Sequence, residues 1–434
     1  MRLNTVLIVG LLAYVVIQLV YVIFFPLPFT SDSAASMSFA QMAIQEHTYY
    51  PNPSSLFGNG IIAPVYTNYL ILILLISNSV QSILFSNILL NTLQLVLLFK
   101  VTEKLFGTRA AIAAGILYAL YLNNVGLVLL NLTELPFGLC ILASLYFYLS
   151  SPTIRNYLLC GFAMGLAIGV RPTGLALTIS FLIVYVVYLF QNKAQHLKMA
   201  CIVIGMFLYI VPMGLLSKQN IDRFEYSSAS GPANIIMSAN PRATGVFDPY
   251  IFKNDSILLA KKTYVEKNEY LLNSAKEYLK EHPGHWFSLI PRKLYSTFVS
   301  DVWAIPQVLH APEWDLNVYI KGKAGARERF HEKSVFFRIA FWILNGWQQM
   351  IYGVIFVFFF YQLFSFLKGK DFSIEKLLIN LFIAGGMGIT IVASVGNPRY
   401  KYSFLMIAII LVSPYIIRFL DTFIFPMFTR KQFR

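Results

Sequence analysis

Leu, Ile, Val and Phe gather in long unbroken runs along this chain instead of alternating with polar residues. Apolar segments fall near 5–25, 61–77, 82–100, 109–127, 133–149, 157–170, 173–190, 199–216, 337–366, 374–395 and 402–420. A helix needs about 20 apolar residues to span a bilayer, and within lipid only helices and closed barrels satisfy their own backbone. Barrel strands would alternate, so the runs exclude a barrel. The pattern predicts an all-α polytopic membrane protein with about 10–11 transmembrane helices. One long polar region, 217–336, separates a first membrane module (1–216, with a loop at 26–60) from C-terminal helices at 337–434.

The polar region has its own periodicity. Over 256–282, Leu258, Val265, Leu272 and Leu279 recur every seven residues, flanked by Ile257, Tyr264, Leu271 and Tyr278. Lys and Glu fill the opposite face, which predicts an amphipathic helix resting on the membrane or on the bundle. The stretch 282–298 mixes aromatics with Arg292 and Lys293, as expected of a segment at the headgroups.

Composition sharpens this picture. Of 434 residues, 57% are hydrophobic and 12% charged, with a formal charge of +14. The basic residues sit mostly at segment ends, so the charge points to anionic lipid and not to nucleic acid. The first apolar run exceeds the roughly 7–15 residues of a signal-peptide core and reads as an uncleaved anchor. Cys140, Cys160 and Cys201 lie in or beside apolar segments and imply no disulfide framework.

Basic connections at 99–109, 151–156, 191–198, 367–376 and 429–434 belong together on the cytoplasmic side. That grouping holds if 61–77, which opens with Pro64 and several polar groups, does not cross fully. The chain then makes ten crossings, with both termini inside and 26–60 and 217–336 together outside. A full crossing at 61–77, with another segment re-entrant, is the alternative.

This topology gathers Asp32, Glu134, Arg171, Arg399 and Lys401 at one outer rim. Charges at membrane depth are costly and often functional. Bland readings stand beside this. Asp32, after Thr30 and Ser31, and Glu134, beside Thr133, are placed to cap helices. The three basic residues are equally placed to anchor headgroups. His282 and His285 have metal-like spacing but no further His or Cys nearby to complete a zinc set. The absence of a phosphate-cradling Gly-rich loop leaves no recognisable site for a nucleotide sugar.

Several stretches, in order, carry a resemblance: Asp32 after the first helix, "APVYTNYLILIL" (63–74), "LFGTRAAIAAGILYAL" (105–120), "LTELPF" (132–137) and "GLAIGVRPTGL" (165–175). Further on come "SANPRATGVFDP" (238–249), "AKEYLKEHPGHWFSLIPRKL" (275–294) and "NPRYKYSFLM" (397–406). The chain resembles the GT-C superfamily of integral-membrane glycosyltransferases, in particular bacterial members of glycosyltransferase family 39. This implies a GT-C-like bundle that moves a sugar from a polyprenyl-phosphate (undecaprenyl-phosphate) donor to a glycan, lipid or protein acceptor. The implied setting is the outer face of a bacterial cytoplasmic membrane. The resemblance implies Asp32 as catalytic base, although Ser33 stands where many members have a second acid. Glu134, Arg171, Arg242, Arg292, Arg399 and Lys401 are the expected substrate-binding residues. No cofactor or metal ligand is assigned, and assistance by a divalent metal stays open.

Two other classes compete. A polysaccharide polymerase or ligase would also act on lipid-linked glycans, and a lipid-linked-sugar flippase would need no chemistry. Convergence of Asp32, Glu134 and Arg171 at one place favours the transferase; scattered positions favour capping.

Overall fold

Every apolar run becomes a helix, and the polar and proline-bearing breaks become the turns. The structure, a computed structural model, describes residues 3–25, 29, 31–58, 60–191, 195–311 and 326–424. The basic tail 429–434, residues 192–194 of the 191–198 loop, residues 312–325 of the long polar region, and Thr30 lie outside the described residues.

The first module contains α1 (Leu3–Phe24), α2 (Ser31–Gln45), α3 (Pro64–Ile76), α4 (Val80–Phe106), α5 (Thr108–Leu120) and α6 (Asn123–Val128). It continues with α7 (Glu134–Tyr148), α8 (Ile154–Val170), α9 (Leu175–Phe190) and α10 (His196–Ile221). The polar region contributes α11 (Gly231–Ile236), α12 (Tyr264–Glu281) and α13 (Ile290–Phe298), with shorter helical turns between them. Three long helices close the chain: α14 (Val335–Leu367), α15 (Ile374–Ala393) and α16 (Tyr402–Phe419). Among the described residues there is no strand, only an isolated parallel bridge between Val246 and Gly396. Among the described residues, seven helices are long and apolar enough to cross a membrane, and four shorter apolar ones accompany them.

The helices run between two ends. At one end, Arg109 at the start of α5 pairs with Asp421 beyond α16 (2.8 Å), and Asp371 after α14 lies near Lys376 and Arg418. At the other end meet the first turns of α2 and α7 and the last turns of α8 and α15. This second end is the site end.

α3 keeps to the site end. Its Tyr66, Leu70, Ile71 and Leu74 pack with Ala40 and Ala43 of α2 and with Ile83 in the first turn of α4. Val65 in its first turn lies against Gly169 near the end of α8. With 13 residues it is about 20 Å long at ~1.5 Å per residue, short of a ~30 Å hydrocarbon core. The first turn of α4 returns to the cluster that α3 leaves, so this segment does not run from one end to the other.

One close approach positions an arginine. Gly161, Gly165 and Gly169 recur every fourth residue on α8, and a Cβ on them would strike the Ile202 carbonyl, the Met206 carbonyl and the Tyr209 ring of α10. Gly205 answers from α10 against the backbone of Leu158. Small residues at this spacing let helix backbones touch in lipid, where dispersion drives association. Thr153 caps the start of α8, and Pro172 ends it at Arg171.

The expected helix over 256–282 is divided. A short helix, Ser256–Ala260, ends before α12, which starts on a reciprocal capping box between Thr263 and Glu266. The cap satisfies a new set of backbone N–H groups, so the sevenfold spacing bridges two helices. Of its buried stripe, Tyr264 packs into the bundle with Ala40 of α2, Tyr50, and Tyr66 of α3, as a helix resting on the bundle requires. Leu271 and Ala275 pack with Ile236 and Ala239, beside and just beyond α11.

The segment 282–298 also differs from expectation. Lys293 is buried, and its Nζ donates to the carbonyls of Ile391 (3.0 Å) and Val392 (3.4 Å) at the end of α15. α13 turns Lys293 and Thr297 inward and leaves Leu294, Tyr295 and Val299 exposed. A lysine at a helix C-terminus meets carbonyls that lack partners, which accounts for its burial.

Candidate active site

Proline punctuation places two arginines at one rim. Arg171 precedes Pro172 where α8 stops, and Arg399 follows Pro398 in the turn between α15 and α16. Asn397 stabilises that turn, its Oδ1 accepting from the Arg399 backbone N–H at 2.9 Å. Ser296 Oγ donates to the Gly396 carbonyl at 3.1 Å, so α13 holds the same turn from outside.

The side chains form one continuous chain of opposite charges. Arg171 Nη1 donates to Glu134 Oε1 at 3.0 Å, and Arg399 Nε donates to the same oxygen at 2.6 Å. Arg399 Nη1 then reaches Asp32 Oδ2 at 2.9 Å. Glu134 is fully buried, Arg399 is 23% exposed and Asp32 is 63% exposed, so the chain runs from the interior to an open edge. Glu134 Oε2 is buried without a hydrogen-bond partner. The Arg171 guanidinium lies 5.8 Å from the Tyr400 ring and 6.0 Å from that of Phe137.

Two acids and two guanidinium groups balance in charge. A buried carboxylate shared by two arginines is tenable because its desolvation is offset by both. Charge-assisted bonds from planar guanidinium groups also fix angles as well as distances. Glu134 and Asp32 both stand in the first turns of their helices, as a capping reading requires. Their carboxylates nonetheless bind arginines distant in sequence, and Thr133 makes no side-chain cap on α7.

The other expected residues divide. Arg242 and Arg292 are exposed on neighbouring segments. Asn240, Pro241 and Arg242 repeat the turn at 397–399, with Asn240 Oδ1 accepting from the Arg242 N–H at 2.8 Å. The two turns are joined where the Gly396 N–H donates to the Gly245 carbonyl at 2.8 Å. A Cβ on Gly245 would lie 3.6 Å from Arg292 Cβ, which brings Arg292 to the same place. The Arg242 guanidinium stacks on Tyr250 at 3.6 Å.

Lys401 is not at this rim. It is fully buried, pairs with Asp301 Oδ1 at 3.1 Å and donates to the carbonyls of Thr297 and Ser300, each at 2.7 Å. Burial with its own counter-ion removes it from contact with a substrate at the open edge. Asp301 also accepts from Tyr121 and Gln348. Sequence reading passed over Asp301, although it is the one carboxylate between Glu281 and Glu313. An isolated acid in an apolar stretch was the available signal.

Asp32 and Glu134 are both already engaged by Arg399, and no group of three or more His, Cys, Asp or Glu comes together among the described residues. His285 Nδ1 bonds instead to Tyr278 (2.7 Å), and His282 packs on the same ring.

The family described as dolichyl-phosphate-mannose-protein mannosyltransferase matches residues 63–214. No curated protein matches the sequence. Among solved structures, the apo oligosaccharyltransferase of Archaeoglobus fulgidus aligns with 98% of this chain at 14% identity and a TM-score of 0.52. The same enzyme tethered to an acceptor peptide gives 95% coverage, 13% identity and 0.51. ArnT from Cupriavidus metallidurans bound to undecaprenyl phosphate covers 95% of this chain and 79% of its own, at 13% identity and 0.41. This chain spans about half of the archaeal enzyme, 52% and 49% in the two forms. A family match across α3 to α10 and a shared fold over nearly the whole chain together make this protein similar to the GT-C superfamily of integral-membrane glycosyltransferases.

Proposed function

We propose that this protein transfers a sugar from a polyprenyl-phosphate donor to an acceptor hydroxyl on the extracytoplasmic side of a bacterial cytoplasmic membrane. The observation that carries this reading is the run Asp32–Arg399–Glu134–Arg171, which sets an exposed carboxylate beside partly buried positive charge at one end of the bundle. Sequence convergence at that place is what a glycosyl transfer needs and what a set of unrelated helix caps would lack.

Each group has a task. Asp32 takes the proton from the acceptor hydroxyl as its oxygen attacks the anomeric carbon, a contribution of about 10²–10⁴-fold for a well-placed base. The bond from that carbon to the phosphate oxygen breaks, and the phosphate leaves with the electron pair. Direct displacement inverts the anomeric centre. Arg171 and Arg399, each less than a quarter exposed, neutralise the departing phosphate as fixed positive charge. Glu134 holds both guanidinium groups in place. Arg242 and Arg292, exposed on the adjoining segments, meet the donor or acceptor further out.

This reading implies an order. Arg399 Nη1 is occupied by Asp32, so a donor phosphate entering the site competes for it. The incoming phosphate takes over the guanidinium and frees Asp32 for the acceptor. Donor therefore binds before acceptor.

The test is direct. Purified protein in detergent or liposomes is incubated with a panel of undecaprenyl-phosphate sugars, and donor consumption is followed. Consumption of one donor, with release of undecaprenyl phosphate, supports the reading. Binding and transport of donors without breakdown would replace it with a flippase.

A further inference from the structure

Asn131 lies three residues before Glu134 and is fully buried. Its Nδ2 donates to the backbone carbonyl of Ser33, the residue after Asp32, at 2.9 Å. Its Oδ1 accepts from the hydroxyl of Tyr66 on α3, which is also fully buried. One amide thus ties the segment that leads into Glu134 to the first turn of α2 and to α3. The segment is itself held by Asn87 of α4, whose Nδ2 donates to the carbonyls of Val128 (3.2 Å) and Leu130 (2.9 Å).

Asp32 has few other restraints. Its side chain is 63% exposed and pairs with Arg399. The apolar grip of α2 on α3 comes from Ala40 and Ala43, two turns and more beyond Asp32, which stands exposed in the first turn. A buried amide that uses both its donor and its acceptor is far more directional than apolar packing. It is also costly to misplace, because a buried polar group without a partner loses its hydration for nothing.

We infer that Asn131 is the positioning residue for Asp32: it fixes the first turn of α2 against the Glu134 segment, so that Arg399 spans both acids. This inference rests on the proposed role of Asp32 as base. The Tyr66 hydroxyl satisfies the buried Oδ1 of the same amide, while the bond to Ser33 is made by Nδ2 alone. A shift of about 1 Å in a reacting group costs on the order of 10²-fold in rate, so the tie matters to turnover more than to donor affinity.

A double-mutant cycle on the full chain tests this, read as steady-state kinetics with the active undecaprenyl-phosphate sugar and as undecaprenyl phosphate binding. Asn131→Leu should lower kcat by about 10–100-fold and move the donor KM by less than about threefold. In an Asp32→Asn background it should have no further effect, since its action passes through that carboxylate. Tyr66→Phe, which keeps the bond to Ser33, should stay within about threefold of wild type. If Asn131→Leu does not fold, Asn131→Asp carries the same test, because it keeps the acceptor for Tyr66 and loses the donor for Ser33. Equal losses in both backgrounds, or an unchanged kcat, would overturn the inference. Near-normal turnover by Asp32→Asn alone would instead overturn the base assignment, so the two failures are told apart.

Discussion

Arg399 Nε donates to Glu134 Oε1 at 2.6 Å, joining two residues 265 positions apart in the chain. The same oxygen receives Arg171, and the same guanidinium continues to Asp32. Glu134 is therefore the fixed point of the site: a buried acid that aims two arginines. Asp32, at the open edge, is left with one ion pair that a phosphate can displace.

Asp32→Asn keeps the size of the side chain and removes the proton acceptor. Transfer should fall by about 10²–10⁴-fold, while thermal unfolding and undecaprenyl phosphate binding stay near wild type. Single-turnover assays of donor consumption measure it, and turnover within a few-fold of wild type would refute the assignment.

Arg399→Lys keeps the charge and loses the planar fork. One ammonium cannot hold Glu134 and Asp32 as Nε and Nη1 do. We expect a loss of roughly 10²-fold in kcat, comparable to removing one electrostatic donor from an active site. A variant with normal kcat would show that the bridge is dispensable.

Lys401 and Asp301 make a separate, structural pair. Lys401→Met leaves the Asp301 charge buried and should cost about 3–5 kcal/mol in stability. Adding Asp301→Asn removes that charge, and the double variant should recover most of the loss. Thermal melting in detergent gives both values. Additive losses would mean that the two residues act independently.

Lys293 has its pKa pushed down to about 8 by burial, from an ordinary value near 10.5. Between about pH 8 and 10.5 the unfolded chain then binds more protons at this position than the folded one. Its contribution to stability rises with pH through that window and is at its lowest below about pH 8. Lys293→Met should remove this rise, so the difference in melting temperature between the variant and wild type should change from pH 7.5 to 10. A constant difference across that range would count against it.

Long apolar runs determine helices in lipid because the backbone has no other way to satisfy itself, so the bundle was legible before any coordinates. Pro64 and the polar opening of 61–77 marked α3 as unusual, and its 13 residues hold to one end. Pro172 and Pro398 likewise marked the breaks where Arg171 and Arg399 emerge. The division at Thr263 was written in its capping box, but a sevenfold spacing masked it.

What the chain order could not tell is which charges meet. Lys401 stands two residues from Arg399 and carries the same sign, yet one is buried against Asp301 and the other bridges Glu134 and Asp32. Side chains two residues apart at a helix start point in different directions, and each takes the partner that packing brings to it. The amide of Asn131 was visible as one more Asn; only the meeting of Ser33 and Tyr66 around it made it a tie. Local sequence determined where helices begin and end. The pairing of acids with arginines was decided in three dimensions, because long-range contacts have no periodicity to read.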